Sequence, residues 1–238
     1  MCEHCIAPTR RRLVEFAAAA AVTALFAPQA MAAKSKAAPK RQNVLSPDAA
    51  LERLMKGNVR YVKGKSGNHD FAHEREALSA GQNPFAAVLS CADSRITPEY
   101  CFDTARGDLF VCRVAGNFAS DEMVASLEYA VEVLKSPLIL VLGHEACGAV
   151  DATIKSIKDG STLPGHLPSL VAAIKPAIDA VQGQSGDMLT NAIRSNVALN
   201  VEKLKSTPPI LNATADGKKI RVVGGVYKLR TGRVELLS

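Results

Sequence analysis

Tryptophan is absent from the chain, and phenylalanine and tyrosine together make up only 5% of it. A stacking platform for single-stranded nucleic acid is therefore excluded, because such surfaces interleave aromatic and basic residues. The formal net charge is +6, but the lysines and arginines are dispersed, so the basic balance reads as a solvated surface. Long apolar runs are also missing. The longest, the Ala-rich stretch at 16–27, falls well short of the ~20 residues that a spanning helix needs. No internal repeat or low-complexity tract follows residue 44, which excludes a solenoid.

What is present begins with a leader unlike the rest. Arg10, Arg11 and Arg12 precede the Ala-rich run, and Ala30, Met31 and Ala32 form an A-x-A cleavage pattern, so residues 1–32 read as a secretory signal. Paired arginines ahead of a weakly apolar run are similar to a twin-arginine leader, whose route exports folded proteins to the periplasm. Residues 33–44, rich in Ala, Lys and Pro, are expected to be a flexible lead-in to a single domain at 45–238. After cleavage no membrane association is expected.

The domain alternates strand and helix signals. Ser46 and Pro47 open a helix over 47–62, with an apolar face at Leu51, Leu54, Met55 and Val62. The segments 85–90, 108–115 and 137–144 are short and almost wholly apolar, as in strands buried on both faces. Helices are expected over 121–135, 146–158, 168–182 and 187–205. The final segments flank Arg230 to Gly232 and predict an edge hairpin. The fold class is α/β: a mostly parallel central sheet flanked by helices, with an N-terminal helical arm and a C-terminal edge hairpin.

Six cysteines need sorting. Cys2 and Cys5 flank His4 in the leader, with no second half of a zinc motif nearby. Cys101 and Cys112 could pair in an oxidising compartment, but Cys112 lies within a strand-like run and both read as core thiols. Cys91, in "SCADSR", and His144 with Cys147, in "LGHEACGAV", fall just after strand-like runs. Sites in parallel sheets gather beyond the carboxyl ends of strands, so these three are expected to meet. Zinc on two thiolates and one imidazole keeps a fourth position for water, which ionises near neutral pH. Asp93 is expected to accept the proton of that hydroxide and aim its lone pair, with Arg95 orienting Asp93. Alternatively, Asp93 takes the fourth position itself and closes the site.

"CADSR" followed by "HEAC" resembles the C-x-D-x-R and H-x-x-C motifs of the β-class carbonic anhydrases. The likeness runs from about residue 45 to the C-terminus, through "GDLFVCRVAGN", "ASLEYAVEVL" and "VVGGVYKLRTGRVELL". It implies one Zn²⁺ per subunit on Cys91, His144 and Cys147, catalytic roles for Asp93 and Arg95, and reversible hydration of CO₂ to bicarbonate and a proton by zinc-bound hydroxide. It implies that Gln82, Phe110 and Tyr129 line the substrate pocket, with CO₂ and bicarbonate as the small-molecule partners. It further implies a homodimer or homotetramer with each active site near a subunit interface.

The chain departs from the pattern in two respects. Val114 stands where many members carry asparagine, and the absence of tryptophan removes one means of building a regulatory bicarbonate pocket. His69, His73 and His166 fall in segments read as surface. Two rival functions remain at this level: hydrolysis of carbon disulfide or carbonyl sulfide on the same fold, and a non-catalytic zinc-binding protein.

Overall fold

The computed structural model describes residues 45–237. The signal, the lead-in and the Cys2, His4 and Cys5 group lie outside the described residues.

Thirteen elements follow one another: α1 (Pro47–Val62), α2 (Phe71–Leu78), β1 (Ala86–Ser90), α3 (Pro98–Cys101), β2 (Leu109–Arg113), α4 (Asp121–Glu132), β3 (Leu138–His144), α5 (Gly148–Asp159), α6 (Leu167–Asp179), α7 (Met188–Ser206), α8 (Leu211–Asp216), β4 (Arg221–Tyr227) and β5 (Val234–Leu236). The strands form one sheet in the order β2-β1-β3-β4-β5, with the first four parallel and β5 antiparallel at the edge. This is the expected α/β architecture with its edge hairpin. α1 starts where the sequence places it because the Ser46 hydroxyl accepts the Ala49 amide at 3.2 Å and Pro47 follows.

All residues of β1 and β3 are buried, which explains their continuous apolar sequence. Ala87, Leu89, Ile139 and Val141 face a cluster supplied by α4, α5, α6 and α7. Val88, Leu138, Leu140 and Leu142 face one supplied by α1 and α3. Each fully buried leucine or isoleucine contributes about 1.5–3 kcal/mol, so the two central strands anchor both layers. α7 lies close against the sheet: a Cβ on Gly143 would come within 2.6 Å of the Val197 side chain.

Several boundaries differ from expectation. α4 ends at Glu132, ahead of Lys135 at φ 55, and α5 begins at Gly148, because Ala146 has φ 50 and Cys147 serves as N-cap. β2 is trimmed to Leu109–Arg113. α2, α3 and α8 were not expected; they have 8, 4 and 6 residues, too few turns for an apolar period to register.

Candidate metal centre

Cys91 directly follows β1, and His144 is the last residue of β3, its neighbour in the sheet. The ladder pairs Ser90 with Leu142, so β1 ends two residues short of His144 and both ligand-bearing ends lie at the same edge of the sheet. The chain then turns at Ala146, whose left-handed φ of 50 is unusual for a residue with a Cβ, and returns Cys147 at the start of α5. The Cys91 and Cys147 sulfurs are 4.0 Å apart. One ligand atom from each of Cys91, His144 and Cys147 lies within 4.8 Å of the others, and all three residues are buried. Two strand ends and a helix start thus bring together residues that are distant in sequence.

The protonation pattern fits a cation. His144 Nδ1 lies 2.8 Å from the Glu145 carbonyl, which fixes it as the protonated nitrogen and leaves Nε2 with a lone pair. Nε2 is buried without a hydrogen-bond partner, an arrangement that a soft divalent ion would satisfy. The Cys147 thiol beside Cys91 and the Gly116 amide at 3.3 Å hold the Cys91 sulfur as thiolate, well below the ordinary thiol range. The Cys91 charge and burial push the Cys147 thiol up, so without a cation the pair holds one proton between them. The set of two sulfurs and one imidazole nitrogen fits a zinc ion.

Asp93 stands beside this group. Arg95 Nε donates to Oδ1 at 2.9 Å, Arg95 Nη2 to Oδ2 at 2.7 Å, and the Arg95 amide to Oδ1 at 2.9 Å. This bidentate pairing lowers the Asp93 carboxyl to about 2, keeping it ionised at any working pH. Oδ2 lies 3.8 Å from His144 Nε2, so the carboxylate faces the ligands while Arg95 grips both its oxygens. Arg95 Nη2 also donates to the Ala146 carbonyl at 3.2 Å, tying the two ligand-bearing loops together.

Residues outside the sequence motifs complete the frame. Arg113, at the end of β2, donates to the carbonyls of Cys91 at 2.9 Å, Asp93 at 2.7 Å and Ile96 at 2.9 Å. Glu145 accepts from the Leu229 amide at 3.1 Å and pairs with Lys228 at 3.1 Å, fastening the His144 turn to the loop after β4. Motif spacing gives no sign of these clamps because each grips main chain or a residue far along the sequence.

Of the three proposed pocket residues, Phe110 and Tyr129 lie against each other and Phe110 packs on the apolar cluster that includes Cys91 and Cys147. The Phe110 and Tyr129 rings are 6.1 Å apart and tilted. Phe110 pairs with Ala87, three register positions before Ser90, about 10 Å down the strand at 3.3 Å per residue. Tyr129 is 47% exposed and Gln82 is exposed ahead of β1. Val114 replaces side-chain polarity with backbone pairing: its amide donates to Ser90 and its carbonyl accepts from Ala92. Cys101 and Cys112 are buried free thiols, as their core reading anticipates. His69 lies beside Glu74, His166 is exposed, and the His73 side chain lies outside what is described. No helix among the described residues is long and apolar enough to cross a membrane.

The sequence profile of the carbonic anhydrases matches residues 86–234. A carbonic anhydrase of Mycolicibacterium smegmatis is 39% identical over 196 residues, covering 81% of this chain and 94% of that protein. Carbonic anhydrase 2 of Mycobacterium tuberculosis is 35% identical over 192 residues, covering 80% and 93%. Among solved structures, the Coccomyxa β-carbonic anhydrase in complex with acetazolamide superposes with a TM-score of 0.62 at 28% identity, covering 79% of this chain and 86% of that one.

Proposed function

From the premise that this chain belongs to the carbonic anhydrase family, in its β class, we propose that Cys91, His144 and Cys147 hold one Zn²⁺ per subunit. The protein is a carbonic anhydrase and catalyses the reversible hydration of CO₂ to bicarbonate and a proton. The observation that carries the zinc assignment is the buried His144 Nε2, which has no partner and lies beside two cysteine sulfurs.

Zinc, when bound there, supplies a Lewis acid that makes water a nucleophile near neutral pH. The remaining work falls to the side chains. Asp93, held ionised by Arg95, accepts the O–H of the attacking water at Oδ2 and so turns its lone pair toward CO₂. Arg95 and Arg113 keep that acceptor in place before the substrate arrives. A structural zinc clip has no need of an aligned acceptor beside its ligands, which weighs against the non-catalytic alternative. The relatives named above are carbonic anhydrases, which favours CO₂ over carbon disulfide or carbonyl sulfide.

Gln82, Phe110 and Tyr129 are proposed to line the pocket of a neighbouring subunit. Support comes from the exposure of Gln82 and Tyr129 within one chain. The assembly is then a homodimer or homotetramer. Residues 1–32 are proposed to direct folded protein to the periplasm. Four reduced, buried thiols in the domain suit a chain that folds before it meets an oxidising compartment.

Stopped-flow CO₂ hydration, with zinc measured on the same sample, tests the assignment. Activity proportional to about one zinc per chain is expected; metal-free protein with full activity would refute it.

A further inference from the structure

We infer that Asn196 of α7 is a positioning residue for the Cys91 sulfur. Five hydrogen bonds run along one face of α7. Asn196 Nδ2 donates to the Gly116 carbonyl at 2.8 Å, and Asn200 Oδ1 accepts from the Ala119 amide at 2.7 Å. Lys203 Nζ donates to the Ala119 carbonyl at 2.6 Å, and Asn200 Nδ2 donates back to the Asn196 carbonyl at 2.8 Å and its Oδ1 at 3.2 Å. Both asparagines are buried, at 1% and 7% exposure, where a polar amide costs stability unless it is paired. Spaced at i, i+4 and i+7, the three side chains form a ladder that holds the backbone of residues 116–119.

That backbone reaches the site at one atom: the Gly116 amide donates to Cys91 Sγ at 3.3 Å. Gly116 has φ 86, a left-handed conformation that glycine adopts without steric cost, and a Cβ there would lie 2.5 Å from the Ile174 side chain. The Asn117 amide donates to the Val114 carbonyl at 3.0 Å and Asn196 Nδ2 donates to the Gly116 carbonyl, so the peptide unit that follows Gly116 is held at both of its polar atoms. With that unit fixed and the Gly116 Cα packed close to Ile174, the Gly116 N–H is presented to the sulfur from an anchored turn. An N–H donated to a thiolate ligand withdraws charge from the sulfur, so the ladder sets how strongly Cys91 gives electrons to a bound ion.

The inference rests on Cys91 being a metal ligand, and the test separates the two. The purified protein is reconstituted with Co(II). Its sulfur-to-cobalt charge-transfer band and the rate of cobalt release to a chelator are recorded beside the melting temperature. In Asn196→Asp, which keeps the shape but cannot donate to the Gly116 carbonyl, the band moves to longer wavelength and release accelerates about tenfold. Asn200→Ala shifts both in the same direction by less. Asn196→Asp with a lowered melting temperature but an unmoved band and unchanged release overturns the inference. If that variant does not fold, an unmoved band in Asn200→Ala overturns it equally. Unaltered protein that binds no cobalt overturns the ligand set instead.

Discussion

Four cysteines are buried in the domain, yet two of them are built for opposite chemistry to the other two. Cys91 follows a strand and Cys147 opens a helix, with their sulfurs 4.0 Å apart, and the Gly116 amide donates to Cys91. Cys101 and Cys112 sit at the end of α3 and within β2, where burial dominates: it pushes the Cys101 thiol up to about 11 and raises Cys112 as well. The difference teaches that burial alone says little about a thiol. The groups that face the sulfur, here a second sulfur and the His144 ring, decide whether it is a ligand or filler.

The largest effect that would sharpen this contrast comes from exchanging sulfur for oxygen in each pair. Cys147→Ser is expected to lose zinc and abolish CO₂ hydration, whereas Cys112→Ser keeps both; metal analysis and stopped-flow assay on the same samples decide. Asp93→Asn comes next: zinc content is unchanged but turnover falls about 100-fold or more, since an amide offers the attacking water a far weaker acceptor. Full turnover in that variant would remove Asp93 from the mechanism.

Arg113→Lys is expected to cost about tenfold in turnover, with zinc retained, because a single ammonium cannot serve three carbonyls in a planar fork. The smallest effect concerns the filler pair. The folded Cys101 thiol keeps its proton to about pH 11, while the unfolded chain releases it near 9.0. Between those values the unfolded state binds fewer protons, so stability falls as pH rises, by roughly 2 kcal/mol at most from this group. Thermal melts from pH 8 to 11 should therefore decline less steeply in Cys101→Ala than in the unaltered protein.

The sequence carried the ligand trio and the sheet because both are written in local signals. Strand ends follow apolar runs, and Cys91, His144 and Cys147 fall at such ends. α1 was legible from Ser46 and Pro47, and the core character of Cys112 from the strand around it. The clamps were not legible. Arg113, Asn196 and Asn200 grip main-chain atoms, and a backbone carbonyl leaves no mark on residue identity. The placement of Phe110 and Tyr129 was equally hidden: the resemblance matches them to a family pocket, but only the structure shows that the two rings, from β2 and α4, lie against each other.

Cys91 and His144 leave adjacent strands whose pairing sets Ser90 opposite Leu142. A slip of β1 by one residue would carry the sulfur about 3.3 Å along and turn it to the other side of the sheet. An ion that needs both side chains is thus a proofreader of strand alignment: it is retained by correctly threaded chains and rejects those that fold one notch out of step.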